Sequence, residues 1–229
     1  MNGLSDVSII MPVFNERNTF EKVLAKIVSL KSKEVIVVDD GSLDGTVEIL
    51  KNLKYDPSLV KVYFHEKNRG KGAAIITALG HVTGSIVTIQ DADLEYNPEE
   101  LFNLVKPIAE KKADVVYGSR FLENDKKIIY IRYRLGNWLL STLISLLFLR
   151  RITDSYTCYK VFRTDVIKGI KLNSKRFEIE AEFTVKLLKK GIKILELPIT
   201  YNPRRLEEGK KIGWMDGLKG VLTVLRYRI

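Results

Sequence analysis

The chain has 229 residues and a formal net charge of +10, and 45 % of its residues are hydrophobic while 29 % are charged. This length and balance indicate one large domain with a sizeable core, and they exclude the disordered, collagen-like and disulfide-stapled classes. The lone cysteine, Cys158, has no partner for an internal disulfide, residues 1–7 lack the pattern of a secretory signal, and no stretch reaches the roughly 18 consecutive apolar residues of a membrane span.

In the first half of the chain, short apolar runs rich in β-branched residues alternate with segments whose apolar residues recur at helical spacing. The predicted strands are residues 6–13, 34–40, 60–64, 85–90 and 113–117, and the predicted helices are 18–30, 44–53, 71–82 and 98–112. This alternation indicates parallel strands joined by crossover helices. We therefore predict an α/β fold built on a doubly wound, mostly parallel sheet.

After Gly118 the pattern is less regular, with helices predicted at 138–149, 177–190 and 214–227 and a strand at 193–198. The helix 138–149 is strongly apolar and has arginines on both sides, which fits either a core or dimer-interface helix or a helix lying in a membrane interface. No internal repeat or low-complexity linker divides the chain. We predict a main domain at 1–203, with a basic loop and C-terminal amphipathic helix at 204–229 as part of the same domain.

The excess positive charge is concentrated in two segments. Residues 120–151 contain seven basic and two acidic residues, and residues 204–229 contain seven and three. A nearly neutral body with two basic segments indicates an anionic partner held at one place, namely phosphates, nucleic acid or a membrane surface.

Polar residues follow four of the predicted strands at the point where each strand ends. They are Asn15-Glu16, Asp39-Asp40-Gly41-Ser42, Asp91-Ala92-Asp93 and Gly118-Ser119-Arg120. In an open parallel sheet, ligands bind at the carboxyl ends of the strands. Four polar strand ends at one edge therefore predict a binding site there.

Several familiar sites are excluded by their motifs. Residues 70–72 (GKG) lack the other residues of a P-loop, and no G-x-G-x-x-G follows the first strand. The segment that begins at Asp40 resembles a calcium loop, but its twelfth position is Lys51 rather than Glu. The two histidines, His65 and His81, are interpreted as structural, and one cysteine cannot form a thiolate zinc site.

The remaining candidate is the pair Asp91 and Asp93, with Glu95 two residues further on. Closely spaced carboxylates on a loop after a buried strand can share a hard divalent cation, whose other ligands are substrate phosphates.

Five motifs in this order carry a family resemblance: PVFNE at 12–16, VDDGSLDGT at 38–46, NRGKG at 68–72, DADL at 91–94 and GSR at 118–120. Together they resemble the family-2 glycosyltransferases with a GT-A fold, and within them the dolichol- or polyprenol-phosphate mannose synthase branch. Asp154, YKVFR at 159–163, and the basic residues at 204–205 and 209–212 also fit that branch. The resemblance covers nearly the whole chain.

The resemblance implies inverting transfer of a hexose from a nucleotide-diphosphate sugar to a polyprenyl or dolichyl monophosphate, with Mg²⁺ or Mn²⁺ as cofactor. It favours GDP-mannose as the donor, with UDP-glucose as the alternative. The acceptor implies a cytoplasmic protein bound peripherally at the cytoplasmic face of a membrane, where the helices 138–149 and 214–227 would meet an anionic surface. A homodimer that buries the same helices is the alternative.

The resemblance also implies a role for each matching residue. The metal ligands would be Asp91, Asp93 and Glu95, although relatives often carry Gln at the last of these positions. The catalytic residues would be Asp93, Arg120 and Arg134. The nucleotide sugar would be held by Pro12, Phe14, Glu16, Val38, Asp40, Asp91, Ala92, Asp93, Arg120, Arg205 and Lys211, with Arg204 as the alternative to Arg205.

The alternative reaction is transfer to the hydroxyl of a saccharide, which needs a catalytic base. Glu180 and Glu182 lie where relatives that use a sugar hydroxyl have this base. A lipid monophosphate needs no base, since its second pKa of about 6 leaves it largely dianionic at neutral pH. With a saccharide acceptor, one of these glutamates would be the base. The non-enzyme alternatives are a nucleic-acid-binding protein and an inactive scaffold. We expect no nucleic acid, because no motif that interleaves aromatic and basic residues is present.

Overall fold

The computed structural model describes residues 4–122, 131–204 and 213–228, with the backbone alone at 131–133 and 214. Its centre is a seven-stranded sheet in the order β3-β2-β1-β4-β6-β5-β7. The strands are β1 (Val7–Val13), β2 (Glu34–Asp39), β3 (Val60–Phe64), β4 (Ile86–Ile89), β5 (Val115–Ser119), β6 (Lys160–Arg163) and β7 (Ile194–Pro198). Only β6 runs antiparallel to its neighbours, β4 and β5, so the predicted mostly parallel sheet is confirmed.

The helices cover the sheet and extend the fold beyond it. They are α1 (Phe20–Ser29), α2 (Thr46–Lys51), α3 (Lys71–Leu79), α4 (Leu101–Ala109), α5 (Ile131–Phe148), α6 (Thr164–Lys168), α7 (Ile179–Lys189) and α8 (Trp214–Arg228). A single 3₁₀ turn, Pro98–Glu100, precedes α4, and the Asn97 side chain caps it by accepting a hydrogen bond from the Glu99 amide. Within the described parts of the chain, no helix is both long and apolar enough to cross a membrane.

Four elements differ from the sequence prediction. Strand β6 and helix α6 were not predicted, because β6 has only four residues and begins with a lysine. Helix α5 begins at Ile131, seven residues before the predicted start, because the apolar spacing used for the prediction begins only at Trp138. The predicted helix at 98–112 is the 3₁₀ turn followed by the shorter α4.

The core has two parts. The larger part lies on both faces of the sheet; on α1, for example, Phe20, Val23, Leu24 and Ile27 are buried on one face. Burying each such side chain contributes about 1.5–3 kcal/mol. The smaller part is formed by residues from three helices and the loop after α5, and it holds α8 against α5 and α7. Its buried members are Leu140, Ile144, Ile152, Ala181, Val185, Leu188 and Val224.

At the amino-terminal edge of the sheet, Glu34 is buried where β2 begins. Its carboxylate contacts Lys61 Nζ at 2.5 Å and accepts hydrogen bonds from Ser8 Oγ at 2.6 Å and from the Thr83 amide at 2.7 Å. Burial by itself would raise the pKa of Glu34, but these partners outweigh it and lower the pKa to about 2. This network joins β1, β2, β3 and the turn before β4 at the edge opposite the polar strand ends.

Candidate active site

The polar strand ends meet at one cavity of about 820 Å³. This is the convergence that the sequence predicts, and it follows from the parallel direction of β1, β2, β4 and β5. Nine of the thirteen predicted site residues line the cavity: Pro12, Phe14, Glu16, Asp40, Asp91, Ala92, Asp93, Glu95 and Arg120.

Two predicted residues lie elsewhere, and two fall outside the described residues. Val38 is fully buried in the core, because every residue of β2 is covered on both faces of the sheet. Arg134 is exposed on α5 and does not line the cavity. Arg205 and Lys211 belong to the part of the chain that the structure does not describe.

The Asp40 carboxylate holds the loop that precedes α3. Its Oδ1 accepts a hydrogen bond from the Arg69 amide at 2.9 Å and lies 2.7 Å from His65 Nδ1, while Oδ2 accepts from the Gly70 amide at 2.6 Å. The other ring nitrogen of His65 lies 2.9 Å from Thr77 Oγ1 on α3. Asp40 therefore shapes the cavity wall, and His65, whose side chain is 5 % exposed, supports Asp40 from behind.

A chain of buried charges runs from Asp91 into the protein. Lys71 Nζ lies 2.9 Å from the Asp91 carboxylate and 3.0 Å from Glu180, and Glu180 also contacts the ammonium of Lys160. Burial would lower the pKa of Lys71, but the charges of Asp91 and Glu180 outweigh it and raise the pKa well above its ordinary value. For Lys160, burial is the larger effect, and the pKa is lowered. The sequence prediction assigned no role to either lysine. For Lys160, the available signal is a lysine directly before the apolar residues Val161 and Phe162.

Asp93 is paired with Arg204. The sequence analysis gives Arg204 as the alternative to Arg205 among the residues that would hold the nucleotide sugar. Arg204 donates to Asp93 Oδ2 at 3.1 Å and to the two oxygens of the Glu16 carboxylate at 3.0 Å each. Burial and the neighbouring charges of Asp91 and Glu95 raise the pKa of Asp93 to about 7, although the charge of Arg204 acts in the opposite direction.

Glu95 is placed differently from the predicted metal ligand. Its carboxylate accepts hydrogen bonds from the Tyr201 hydroxyl and from the Arg204 amide, both at 2.8 Å, so it fixes the chain that carries Arg204. Across residues 4–122, 131–204 and 213–228, no set of three or more His, Cys, Asp or Glu side chains is arranged to hold a metal ion. The predicted set of Asp91, Asp93 and Glu95 as metal ligands therefore stays a prediction.

The charges of the cavity nevertheless fit a divalent cation held by Asp91 and Asp93. Among the described residues, the lining carries two more negative than positive side chains. Burial and then the charges of Asp91 and Glu95 raise the pKa of Asp93, and a cation beside it would offset both effects. Carboxylate oxygens are the ligands that Mg²⁺ and Mn²⁺ prefer. The charged lining residues are Glu16, Asp40, Asp91, Asp93, Glu95 and Glu180 against Lys71, Arg120, Arg176 and Arg204.

Arg120 is fixed by a two-point ion pair with Asp154, which is fully buried. Its Nε and Nη2 donate to the two oxygens of Asp154 at 2.7 and 2.8 Å, and the guanidinium carbon lies 5.0 Å from the centre of the Tyr201 ring. Burial would lower the pKa of Arg120, but the charge of Asp154 outweighs it. The pair holds the positive charge at the cavity wall, where it faces the same space as Asp93.

The other end of the cavity is lined by α5 and α8. Gly136, Asn137 and Leu140 come from α5, and Gly217 comes from α8. Tyr156 and Phe177 also contribute to this end, so the lining changes from carboxylates to mainly uncharged side chains. The cavity thus connects the charged strand ends to the two helices.

The two glutamates that were candidate bases are both engaged by the protein. Glu180 lines the cavity but lies between Lys71 and Lys160. Glu182 does not line it: its carboxylate contacts Lys186 and accepts from the Asn173 and Ser174 amides, the latter at 2.7 Å. These contacts give Glu182 a structural role at the start of α7.

Comparison with solved structures gives the class of this fold. The chain superimposes on glucosyl-3-phosphoglycerate synthase from Mycobacterium tuberculosis, solved with Mn²⁺, UDP and glucosyl-3-phosphoglycerate, with a TM-score of 0.72. The match covers 97 % of this chain and 80 % of that one at 19 % identity, which establishes the fold. The sheet and its helices are those of a GT-A glycosyltransferase.

The sequence comparisons then give the family. A sequence model described as "Glycosyl transferase family 2" matches residues 8–170, and the chain belongs to this family. An uncharacterised protein of Methanocaldococcus jannaschii is 33 % identical, over 98 % of this chain and 93 % of its own length.

Two further relatives have named activities. The dolichol-phosphate mannosyltransferase of Pyrococcus furiosus is 31 % identical over 90 % of this chain, which spans 59 % of that protein's length. The undecaprenyl-phosphate mannosyltransferase of Micrococcus luteus is 29 % identical over 96 % of this chain and 93 % of its own length.

Proposed function

We propose that this protein transfers a hexose from a nucleotide-diphosphate sugar to a polyprenyl or dolichyl monophosphate, with inversion at the anomeric carbon. An oxygen of the acceptor phosphate attacks that carbon, the bond from the carbon to the diphosphate breaks, and the nucleoside diphosphate leaves with the electron pair. The two relatives with named activities act on lipid phosphates of this kind, which supports the acceptor.

One observation carries the choice of acceptor: each of the six carboxylates that line the cavity is already engaged by a donor group of the protein. A sugar hydroxyl needs a carboxylate that can take its proton as it attacks. Glu180, the candidate base at the cavity, instead lies between the ammonium groups of Lys71 and Lys160, so its carboxylate is engaged on both sides. An acceptor that arrives already deprotonated, such as a phosphate, avoids this requirement.

The residues of the cavity have separate tasks in this reaction. A divalent cation, held by Asp91 and Asp93, would stabilise the negative charge of the leaving diphosphate as a Lewis acid. Arg120 faces the same space with its guanidinium fixed by Asp154, so its charge is in place before a phosphate arrives. The pair of Glu16 and Arg204 and the loop held by Asp40 form the walls on the nucleotide side. Because two relatives are named mannosyltransferases, we favour GDP-mannose over UDP-glucose as the donor.

The outer surfaces of α5 and α8 support a membrane location for this reaction. Each helix has an exposed apolar stripe at helical spacing in addition to its buried face: Leu135, Trp138, Leu139 and Leu146 on α5, and Met215, Leu218, Leu222 and Leu225 on α8. Exposed basic residues accompany them: Arg134, Arg150, Arg151, Lys219, Arg226 and Arg228. An apolar stripe beside basic side chains suits an anionic membrane surface. We propose peripheral binding at the cytoplasmic face, with a homodimer through the same helices as the alternative.

An assay with separate donors and acceptors tests the proposed function. The protein is incubated with Mn²⁺ and either GDP-mannose or UDP-glucose, together with undecaprenyl phosphate in detergent or an oligosaccharide. We expect a sugar–lipid phosphate product, and the Asp93→Asn variant is expected to lose at least about 99 % of it, because one ligand charge is removed. Asp114→Asn, an exposed aspartate on the loop before β5, is the matched control and is expected to behave as the wild type. Transfer to the oligosaccharide alone, or no transfer at all, would overturn the proposal.

A further inference from the structure

The segment that leads into α7 is held firmly against the start of α3. The Ala73 amide donates to the Lys175 carbonyl at 2.9 Å. On the other side, the Ser174 amide donates to the buried Glu182 carboxylate at 2.7 Å, and the Asn173 amide donates to it at 3.0 Å. These bonds fix the backbone of residues 173–175, and they fix the direction in which the chain enters the following residue, Arg176.

Two glycines allow this close contact. A Cβ atom at Gly70, where φ is +100°, would lie 2.4 Å from the Lys175 carbonyl oxygen and 2.6 Å from Arg176 Cγ. A Cβ atom at Gly72 would lie 2.4 Å from the Ser174 carbonyl oxygen. Any larger residue at either position would push the segment away from α3. The stem of Arg176 therefore lies directly on the loop held by Asp40, at the edge of the cavity.

Arg176 differs from the other cations that line the cavity. Lys71 is paired with Asp91 and Glu180, Arg120 with Asp154, and Arg204 with Glu16 and Asp93. Arg176 also lines the cavity and is exposed to it, but no carboxylate within the described ranges forms an ion pair with its guanidinium. Within the described residues its charge is not neutralised, so it is available to an anion in the cavity.

We propose that Arg176 binds a phosphate group of a substrate of this enzyme. The inference rests on the proposed function, in which both substrates carry phosphates: the donor a diphosphate and the acceptor a monophosphate. A guanidinium can donate two parallel hydrogen bonds to a phosphate, and it keeps its charge at any physiological pH. The loop that Arg176 covers holds Lys71 next to Asp91, so the phosphate would lie on the same side of the cavity as the metal ligands.

The test compares Arg176→Gln and Arg176→Lys with Lys175→Gln. Lys175 is the exposed neighbour, does not line the cavity, and loses the same unit of charge, so it controls for long-range electrostatics. We expect Arg176→Gln to weaken one substrate interaction about ten-fold or more. Arg176→Lys is expected to recover part of the loss, and Lys175→Gln to stay within about two-fold of the wild type.

Two measurements identify the phosphate. In calorimetry with Mn²⁺, weaker binding of GDP but unchanged binding of GMP assigns Arg176 to the donor diphosphate. Unchanged GDP binding with a raised KM for undecaprenyl phosphate assigns it to the acceptor. If Arg176→Gln and Lys175→Gln melt at the same temperature and match in GDP affinity and in both KM values, the inference is wrong. If the wild type transfers no sugar to undecaprenyl phosphate, the proposed function fails, and the GDP titration alone then decides the role of Arg176.

Discussion

At the scale of single residues, Asp40 holds the loop before α3, which forms part of the cavity wall. Both of its carboxylate oxygens accept backbone amide hydrogen bonds, from Arg69 and Gly70, and His65 approaches one of them. A carboxylate oxygen can accept more than one bond, so a ligand donor can still be added. We therefore expect Asp40 to act on binding both directly, as the family resemblance implies, and indirectly through the shape of the loop.

We predict that Asp40→Ala raises the dissociation constant for GDP and UDP about ten-fold or more, because several charge-assisted hydrogen bonds are lost together. Amide hydrogen exchange at Arg69 and Gly70 should become faster in the same variant, since these amides lose their acceptor. Asp56→Ala, which changes an exposed aspartate that does not line the cavity, is the control. Unchanged nucleotide affinity by calorimetry would remove Asp40 from the site.

The residues of the cavity divide into those that the sequence could predict and those that it could not. Glu16, Asp40, Asp91, Asp93 and Arg120 follow strands whose direction is readable from the strand–helix alternation, so their meeting at one edge was predictable. Their ion-pair partners, such as Lys71, Asp154 and Arg204, come from segments far along the chain. Which cation meets which carboxylate depends on how these segments pack, and no local pattern in the sequence reports it.

At the scale of elements, β6 and α7 are joined by a buried ion pair between Lys160 and Glu180. Removing one partner of a buried pair costs about 3–5 kcal/mol, because the other charge is left without compensation. Replacing both partners together, with Lys160→Met and Glu180→Gln in one chain, would remove both of these charges, while Lys71 loses Glu180 but keeps its pair with Asp91. Comparing the single and double variants therefore tests whether Glu180 acts as a base. The comparison separates the effect of Glu180 on folding from its effect on the reaction.

We predict that Glu180→Gln alone lowers the Tm by about 10 °C, and that the double variant Lys160→Met/Glu180→Gln recovers more than half of this loss. Transfer to undecaprenyl phosphate by the double variant should stay within about ten-fold of that by Lys160→Met, because a phosphate acceptor needs no base. Thermal melts and initial rates provide both readouts. A folded double variant without transfer, beside an active Lys160→Met, would instead identify Glu180 as the base.

A second element-scale prediction concerns Glu34 at the start of β2. Its folded-state pKa of about 2 lies below the ordinary value of 4.5, so its contribution to stability is complete above about pH 4.5 and disappears as the pH falls through 2. We predict that the wild type loses roughly 2–3 kcal/mol more unfolding free energy than Glu34→Gln across this window. Urea unfolding at a series of pH values measures the difference. Glu21→Gln, an exposed glutamate on α1, is the control, and parallel curves for wild type and Glu34→Gln would contradict the network.

The composition and pairing of β6 explain why the sequence analysis did not predict this strand. A buried strand is normally recognised as a run of apolar, β-branched residues, but β6 consists of Lys160, Val161, Phe162 and Arg163. Its lysine is buried because Glu180 is beside it, and its pairing is antiparallel in the middle of a parallel sheet. The regular strand–helix alternation that predicts β1 to β5 therefore does not apply to it.

At the scale of the whole molecule, the cavity extends from the polar strand ends to α5 and α8, and these helices have apolar side chains on two sides. The inner sides pack with α7 in the smaller core, whereas Leu146 is 70 % and Leu222 is 58 % exposed. A lipid-linked acceptor keeps its chain in the bilayer, so its phosphate reaches the cavity only if the protein lies at the membrane surface. In the proposed membrane location, the charge concentrated near these helices would supply the attraction, at about 1 kcal/mol for each basic residue close to anionic lipid.

We predict that the protein floats with vesicles containing anionic lipid at low salt and is released as the salt concentration rises, because these contacts are screened. The double variant Leu146→Glu/Leu222→Glu should remain in the soluble fraction even at low salt, since each change places a charge on the apolar stripe. Phe102→Glu, an exposed aromatic residue on α4, is the matched control and should float as the wild type does. Sedimentation without vesicles tests the alternative: a wild-type dimer that the double variant converts to a monomer, with no flotation at any salt concentration, would show that the stripes join two copies of the chain.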